Sequence, residues 1–400
     1  KVEMIHMRSI TDMDLSNKKV ILRCDYNVPI KDGIIEDDTR IRMSLDTINY
    51  LLKNNCKIII LSHLGKIKEE SDKAKNSLYP VSIRLGKLLH KNILFSKDTR
   101  SDELTKMASN LKEKEILLIE NTRYEDLNSK KESSCDMDLA SYWASLGEVF
   151  INDAYGTLHR AHASNVGIAK ILPSAVGFLV LNELNKIDSL LEENTKPFIV
   201  IMGGKKVSDK IKVIDNLITK CDKLLIGGGM AYTFLASLGY NVGSSLIDTE
   251  SLDYAKNILI NYKNKIVLPV DAIVATEISP EAHATNKNID SILDNEIALD
   301  IGRETIKLFE YNLQNAKRVI MNGPMGVFEI EKFSHGTKAI YEYLTKNNIK
   351  TIIGGGDSAS SVNKLGYTNK FYHVSTGGGA TLEYLEGKTL PGLSVIEDGK

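Results

Sequence analysis

The sequence lacks any hydrophobic run long enough to cross a bilayer. Its longest, near 175–181, falls far short of the roughly 20 residues that a spanning helix needs. It lacks net charge: 51 Lys and Arg stand against 52 Asp and Glu, so no whole-molecule field exists to hold nucleic acid or an anionic membrane. Paired cysteines are missing too. Cys24, Cys56, Cys135 and Cys221 are scattered, with no CxxC and no metal-ligand spacing, a pattern that points to reduced thiols in the cytoplasm. The opening residues, KVEMIHMRSI, lack the apolar stretch of a signal peptide. No G-x-x-x-x-G-K-[ST] segment occurs, which excludes a P-loop kinase. No Ser–His–Asp or Cys–His arrangement stands out among the motifs. A small anionic substrate must therefore be captured by local clusters of positive charge.

What is present is enough chain for two domains: 400 residues, 42% apolar and 26% charged. The halves differ. Eight of the ten arginines lie in the first 160 residues, whereas 21 of the 28 glycines follow residue 200. Arginine grips phosphate and carboxylate through a planar fork, and glycine lets backbone approach a phosphate closely. Short runs rich in Val, Ile and Leu recur, six in each half. They are KVILRC, KIIILS, NILFS, EILLIE, EVFIN and AVGFLV, then PFIVIM, KLLIGG, KIVLPV, RVIMNG, KTIIGG and FYHVST. Amphipathic stretches such as TRIRMSLDTINYLLKN and LYPVSIRLGKLLHKN separate several of them, the alternation of parallel sheets covered by helices on both faces. Residues 182–194, with Leu184, Ile187, Leu190 and Leu191 at helical spacing, read as a helix connecting the halves. KIKEESDKAKNS (66–77) reads as a solvated loop.

In open parallel sheets, ligands bind outside the carboxyl ends of the strands. The unusual residues of the first half fall there repeatedly: RCDYNVP (23–29), DDTRIR (37–42), SHLGK (62–66), ENTRY (120–124) and NDAYGTLHRAHAS (152–164). Arg40, Arg123, Arg160, His63, His159 and His162 at one rim form a candidate site for a small, multiply anionic molecule. Taken singly, each has a plainer reading. Arg40 fits a solvated helix start, Asp25 and Asn27 fit turns, His63 fits a cap, and His162 fits a structural histidine better than a ligand. Joint placement carries the functional reading.

The second half carries phosphate chemistry. GGKKVSDKI (203–211) follows a strand, and a helix beginning near Lys206 would put Lys206 and Lys210 on one face. GGG at 227–229, NGPMGVFE (322–329), GGGDS (354–358) and TGGGA (376–380) each follow a strand, and glycines before helices expose N–H groups to phosphate. Asp357 is the magnesium candidate, since nucleotide-bound magnesium takes one or two carboxylates beside phosphate oxygens. Residues 354–359, GGGDSA, also fit a dinucleotide fingerprint. The strand that follows lacks the acidic residue that fingerprint needs, so a dehydrogenase is the weaker alternative, beside a non-catalytic hinged binding protein.

These segments, in this order and over nearly the whole chain, resemble the phosphoglycerate kinase family. The resemblance implies an α/β fold of two Rossmann-like domains, each a parallel six-stranded sheet flanked by helices, joined by a hinge helix. A phosphoglycerate-binding domain would span 1–181, the helix 182–196, and a nucleotide-binding domain 197–385, with a tail, 386–400, returning to the first domain. Phosphoglycerate would meet Asp25, Asn27, Arg40, His63, Arg123 and Arg160, with Leu64, Gly65, Lys66 and His159 beside them. ATP or ADP would meet Lys206, Lys210, Gly228, Asn322, Glu329, Gly355, Gly356, Asp357 and Ser358, with Mg2+ on Asp357. Arg40 and Lys206 would be catalytic. The implied enzyme is a cytoplasmic monomer acting on 3-phosphoglycerate, 1,3-bisphosphoglycerate and adenine nucleotide, with no nucleic-acid or membrane partner. Four positions depart from the family pattern: Lys66 for Arg, Lys205 for a small residue, Met321 for Trp and Ser358 for Thr. Lys66 matters most, because lysine cannot reproduce a bidentate fork.

Overall fold

The computed structural model describes residues 7–397. Residues 1–6, whose polarity was read above, and 398–400 of the expected tail lie outside the described residues. The chain divides into two compact units, Lys1–Asn185 with Thr389–Lys400, and Lys186–Lys388.

The first unit is built on six strands: β1 (Lys19–Arg23), β2 (Lys57–Leu61), β3 (Ile93–Ser96), β4 (Ile116–Ile119), β5 (Val149–Asn152) and β6 (Ser174–Val176). They lie in the order β3-β4-β2-β1-β5-β6, and every pairing is parallel. Val20, Ile21, Leu22, Ile58, Ile59 and Ile60 are all 0% exposed, which is why these runs do not alternate: helices cover both faces. Each such side chain contributes roughly 1.5–3 kcal/mol by leaving water. Helix α1 (Thr39–Met43) follows a small hairpin at Ile30–Lys31 and Ile34–Ile35; a second helix, Leu45–Lys53, continues it after a break at Ser44. The chain's last described helix, Pro391–Glu397, packs on this unit, where the Gly392 N–H donates to the Leu158 carbonyl at 2.9 Å.

The second unit repeats the plan with β7 (Phe198–Met202), β8 (Lys223–Ile226) and β9 (Ile266–Val267). An antiparallel trio follows, β10 (Asp271–Ala275), β11 (Thr285–Asn288) and β12 (Ile297–Ile301), and then β13 (Arg318–Asn322), β14 (Lys350–Gly354) and β15 (His373–Val374). The parallel sheet runs β9-β8-β7-β13-β14-β15, and the trio forms its own sheet, β11-β10-β12. The sequence pattern does not reveal the trio. β11 is TNKN, polar and half-exposed, and carries no apolar run to find.

Three sequence expectations need correction. AVGFLV is not one strand: β6 ends at Val176 and helix α2 runs Phe178–Glu192, starting before residue 182. The buried Asp153 carboxylate causes the break by accepting the Leu179 N–H at 2.9 Å and the Val180 N–H at 3.3 Å, capping the helix there. KIVLPV yields only the two-residue β9 before the chain leaves for the antiparallel trio. Residues 66–77 contain a short helix, Ser71–Lys75, held by the Asp72 carboxylate accepting the Lys68 and Glu69 N–H groups.

Burial pushes the Asp153 carboxyl up to about 6, against the pull of Thr47 and the helix N–H groups. Its folded value lies above its unfolded one, so its stabilising contribution is complete below the unfolded value and fades as pH rises through about 6. Relative to Asp153→Asn, the wild type is expected to lose about 2 kcal/mol of unfolding free energy between pH 4 and pH 7. Urea melts at the two pH values check this, and a pH-independent difference would contradict it.

Candidate active site

In the first unit the loops that leave β4, β2, β1 and β5, four neighbours in the sheet, carry the residues singled out above. After β1, Asp25 (9% exposed) accepts from Arg40 Nη1 at 3.0 Å on both carboxylate oxygens. The same Nη1 reaches the Asn27 carbonyl at 3.3 Å, so Arg40, the second residue of α1, leans onto the β1 loop. Asn27 Oδ1 accepts the Gly65 N–H at 2.8 Å, joining that loop to SHLGK, where Gly65 takes a φ of +59°. Leu64 is buried, and its backbone is clasped by Asn121: the Leu64 N–H donates to Asn121 Oδ1 at 3.1 Å and its carbonyl accepts from Nδ2 at 2.7 Å. His63 is buried beside Arg23, whose Nη2 lies 3.4 Å from its Nδ1.

Arg123, in the loop after β4, is half-buried, and its Nε finds no partner. It shares with exposed Lys66 an open cavity of about 590 Å3, whose wall includes Lys68, Lys130 and a single carboxylate, Asp126. Arg160 is exposed and donates to His159 Nε2 at 3.1 Å. Its charge is the chief electrostatic influence on Arg123 after burial itself. His162 is buried and neutral, pushed down to about 3 by burial and by Arg23, Arg123 and Arg160. His63 lies well below the usual histidine range for the same reasons, burial first, then Arg23, Arg123, His162 and Arg40. Positive charge therefore exceeds negative around two neutral imidazoles, an environment that favours a bound anion.

The second unit presents backbone more than side chains. Its glycine loops leave β8, β7, β13 and β14, again four neighbours. The Gly204 N–H donates to the Pro324 carbonyl at 3.1 Å, Gly228 to Met325 at 3.2 Å, and Met230 to Gly204 at 3.0 Å, so three loops are stitched together. Only glycine fits at Gly323, at φ +99°: a Cβ there would sit 2.3 Å from the Gly203 carbonyl carbon and oxygen. Lys210 Nζ donates to Asn322 Oδ1, while the buried Asn322 Nδ2 has no partner. Burial lowers the Lys210 ammonium, opposed by Asp209 and Asp357. Gly355, Gly356 and Asp357 stand at the start of the nine-residue helix Gly356–Lys364, with nothing within 4 Å of where a Gly356 side chain would begin. Ser358 is fully buried, and its Oγ accepts the Gly323 N–H at 2.7 Å, tying the GGGDS loop to NGP from behind. Glu329 is exposed; its carbonyl accepts from Lys364 Nζ at 2.7 Å.

Lys206 and Lys210 do not share a helix face. Helix Ile211–Ile218 begins after Lys210, because Asp248 accepts the Ser208 N–H at 2.9 Å and the Lys210 N–H returns to the Val207 carbonyl at 2.8 Å. That turn leaves Lys206 exposed and Lys210 half-buried. The chemistry of the donor set suits magnesium held with a nucleotide. Asp357 offers one exposed carboxylate, and no group of three or more His, Cys, Asp or Glu able to hold a metal exists among the described residues.

The model of the phosphoglycerate kinase family matches residues 10–388. The chain belongs to that family. It is 52% identical over 393 residues to the phosphoglycerate kinase of Fusobacterium nucleatum subsp. nucleatum, covering 97% of this chain and 99% of that one. With the Listeria innocua enzyme identity is 53% over 390 residues, 97% and 98% of the two chains. Among solved structures, phosphoglycerate kinase from Coxiella burnetii superposes with a TM-score of 0.86 at 38% identity, covering 98% of each chain. The Pyrococcus horikoshii OT3 enzyme gives 0.85 at 30%, again over 98% of each. As a member of the phosphoglycerate kinase family, the chain is a kinase.

Sequence reasoning missed the residues beneath the first rim. Arg23 had a signal, a charge at the end of an apolar strand run, and it is 0% exposed. Glu132, also 0% exposed, had none, and Asn121, although inside ENTRY (120–124), gave no sign of its clasp on Leu64, since their partners lie far away in sequence. Gly323→Ala is expected to cost roughly 1–3 kcal/mol through backbone strain and displaced loops. Chemical denaturation reads the loss, and a midpoint equal to wild type would contradict the close approach.

Proposed function

We propose that the protein catalyses reversible phosphoryl transfer between 1,3-bisphosphoglycerate and MgADP, giving 3-phosphoglycerate and MgATP, the glycolytic reaction of its family. One observation carries this reading: Arg23, Arg40, Arg123 and Arg160, with neutral His63 among them, gather at the carboxyl ends of adjacent strands and outnumber the carboxylates beside them, Asp25, Asp126 and Glu132. We assign phosphoglycerate to Asp25, Asn27, Arg40, His63, Arg123 and Arg160, with Leu64, Gly65, Lys66 and His159 alongside. We assign the nucleotide to Lys206, Lys210, Gly228, Asn322, Glu329, Gly355, Gly356, Asp357 and Ser358 of the second unit. Asn322 and Ser358, both buried, act mainly by shaping the loops.

The attacking group is already ionised, a carboxylate in one direction and a nucleotide oxygen in the other, so no side-chain base is needed. Positioning and charge neutralisation supply the catalysis. Arg40, held by Asp25, meets the carboxyl end of the substrate. Lys206 neutralises the moving phosphoryl group, and Lys210 the nucleotide phosphates. Magnesium, when bound through Asp357 and nucleotide phosphate, supplies further charge neutralisation. Because donor and acceptor belong to different units, direct in-line transfer follows hinge closure, which we assign to the segment around α2. The enzyme works as a cytoplasmic monomer without nucleic-acid or membrane partners. No described helix is long and apolar enough to cross a membrane.

The test is 3-phosphoglycerate-dependent ADP formation from MgATP, with the acyl phosphate trapped by hydroxylamine; no trapped product would refute the assignment. Arg40→Ala and Lys206→Ala are each expected to lower kcat roughly 10³-fold, about 4 kcal/mol. A variant that keeps more than about a tenth of wild-type kcat loses its assigned role. Asp357→Ala is expected to raise the magnesium concentration needed for half-maximal rate, and an unchanged requirement would remove it as a ligand.

A further inference from the structure

Beneath the first rim, Arg23 at the end of β1 and Glu132 in the loop between β4 and β5 are both completely buried, an arrangement that needs a reason. Glu132 Oε1 lies 3.8 Å from Arg23 Nη2. The carboxylate also accepts the Ser164 N–H at 2.9 Å and the Ser164 hydroxyl proton. Ser164 Oγ in turn accepts from Arg23 Nε at 2.8 Å, and Arg23 Nη1 donates to the Cys24 carbonyl. Burial pushes the Glu132 carboxyl up, while the Arg23 charge and the Ser164 donors pull it back. Three partners thus fix the plane of the guanidinium, and the orientation that results aims Nη2 at His63 Nδ1, 3.4 Å away.

A guanidinium only donates, so His63 Nδ1 must present a lone pair, and the proton of a neutral ring then sits on Nε2. We propose that Arg23 and Glu132 form a positioning pair that holds His63 as its Nε2–H tautomer, making the ring a fixed hydrogen-bond donor toward the anionic substrate. The proposal rests on the assignment of phosphoglycerate to this rim. The charged and titratable groups that face His63 act in one direction. Arg23 from β1, Arg40 from α1, Arg123 from the loop after β4 and His162 from the loop after β5 all oppose its protonation. The carboxylates nearby are engaged elsewhere, Asp25 with Arg40 and Glu132 with Arg23. A buried ion pair of this kind adds little net stability compared with apolar residues of the same volume. What it supplies is a donor direction that an apolar pair would not.

Nitrogen-15 NMR of the imidazoles in the wild-type protein tests this, with His63 assigned by comparison with His63→Gln. The expected result is a single neutral Nε2–H tautomer that does not titrate between about pH 5.5 and 8.5. A proton on Nδ1, or ordinary titration in that window, would overturn the proposal whatever the variants do. The charge-neutral double variant Arg23→Met with Glu132→Gln should then show both His63 tautomers. Its KM for 3-phosphoglycerate should rise roughly 10-fold, the scale of one hydrogen bond to a charged group, with kcat changed far less. If that variant is folded, keeps the single tautomer and keeps KM, the pair has no positioning role. Ser164→Ala, which removes the bridging hydroxyl without burying a lone charge, should shift the tautomer in the same direction, and an unshifted ring there also counts against the pair. Added 3-phosphoglycerate that leaves the wild-type His63 ring signals unmoved would sink the substrate assignment while leaving the tautomer result standing.

Discussion

Parallel pairing of β1 with both of its neighbours is the constraint on which the rest depends. Arg23 is registered against Leu61 of β2 and, on its other side, against Asn152 of β5. All three strands therefore end at the same level and in the same direction, and the chain that follows each must emerge on one rim. A one-residue slip would turn the buried Val20 and Leu22 toward the opposite face and remove the alignment together with the core packing. The apolar runs thus do two things at once. They bury the sheet between helices, and they bring loops more than a hundred residues apart in sequence to a common edge.

The two units use that edge in different ways. In the first, long cationic side chains converge, and the fold limits the cost of their mutual repulsion by neutralising the imidazoles among them and pairing Arg40 with Asp25. In the second, backbone approaches backbone so closely at Gly323 and Gly203 that no side chain fits, and helix starts such as Gly356 face open space. Directed side-chain forks suit a small acid with two distinct anionic ends. Backbone N–H groups and helix ends suit a polyphosphate chain whose charge is repeated.

Much of this arrangement is legible in the sequence because the signals are local. Strand runs ending in Asp, Asn or Gly mark both the parallel sheets and the loops that matter, as KVILRCDYN and KTIIGGGDS show. Features set by distant partners are not legible. Asp153 caps α2 from a different loop and splits AVGFLV, and Asp248 fixes the turn that separates Lys206 from the helix after Lys210. Ser358 has the composition of a ligand contact, yet its hydroxyl serves Gly323. The polar β11 carries no periodic pattern at all. Glu132 resembles any other acidic loop residue until its burial against Arg23 is known.

The central claim is that the two anionic ligands have separate seats, side-chain cations for one and glycine loops for the other. The most direct measurement is backbone-amide NMR of the full chain titrated with each ligand alone. The account predicts that 3-phosphoglycerate perturbs amides within 23–29, 37–42, 62–66, 120–124 and 152–164, and that MgADP perturbs those within 203–211, 227–229, 322–329 and 354–358. If 3-phosphoglycerate moved only the second set, or if the two ligands competed for the same amides, the account would be contradicted.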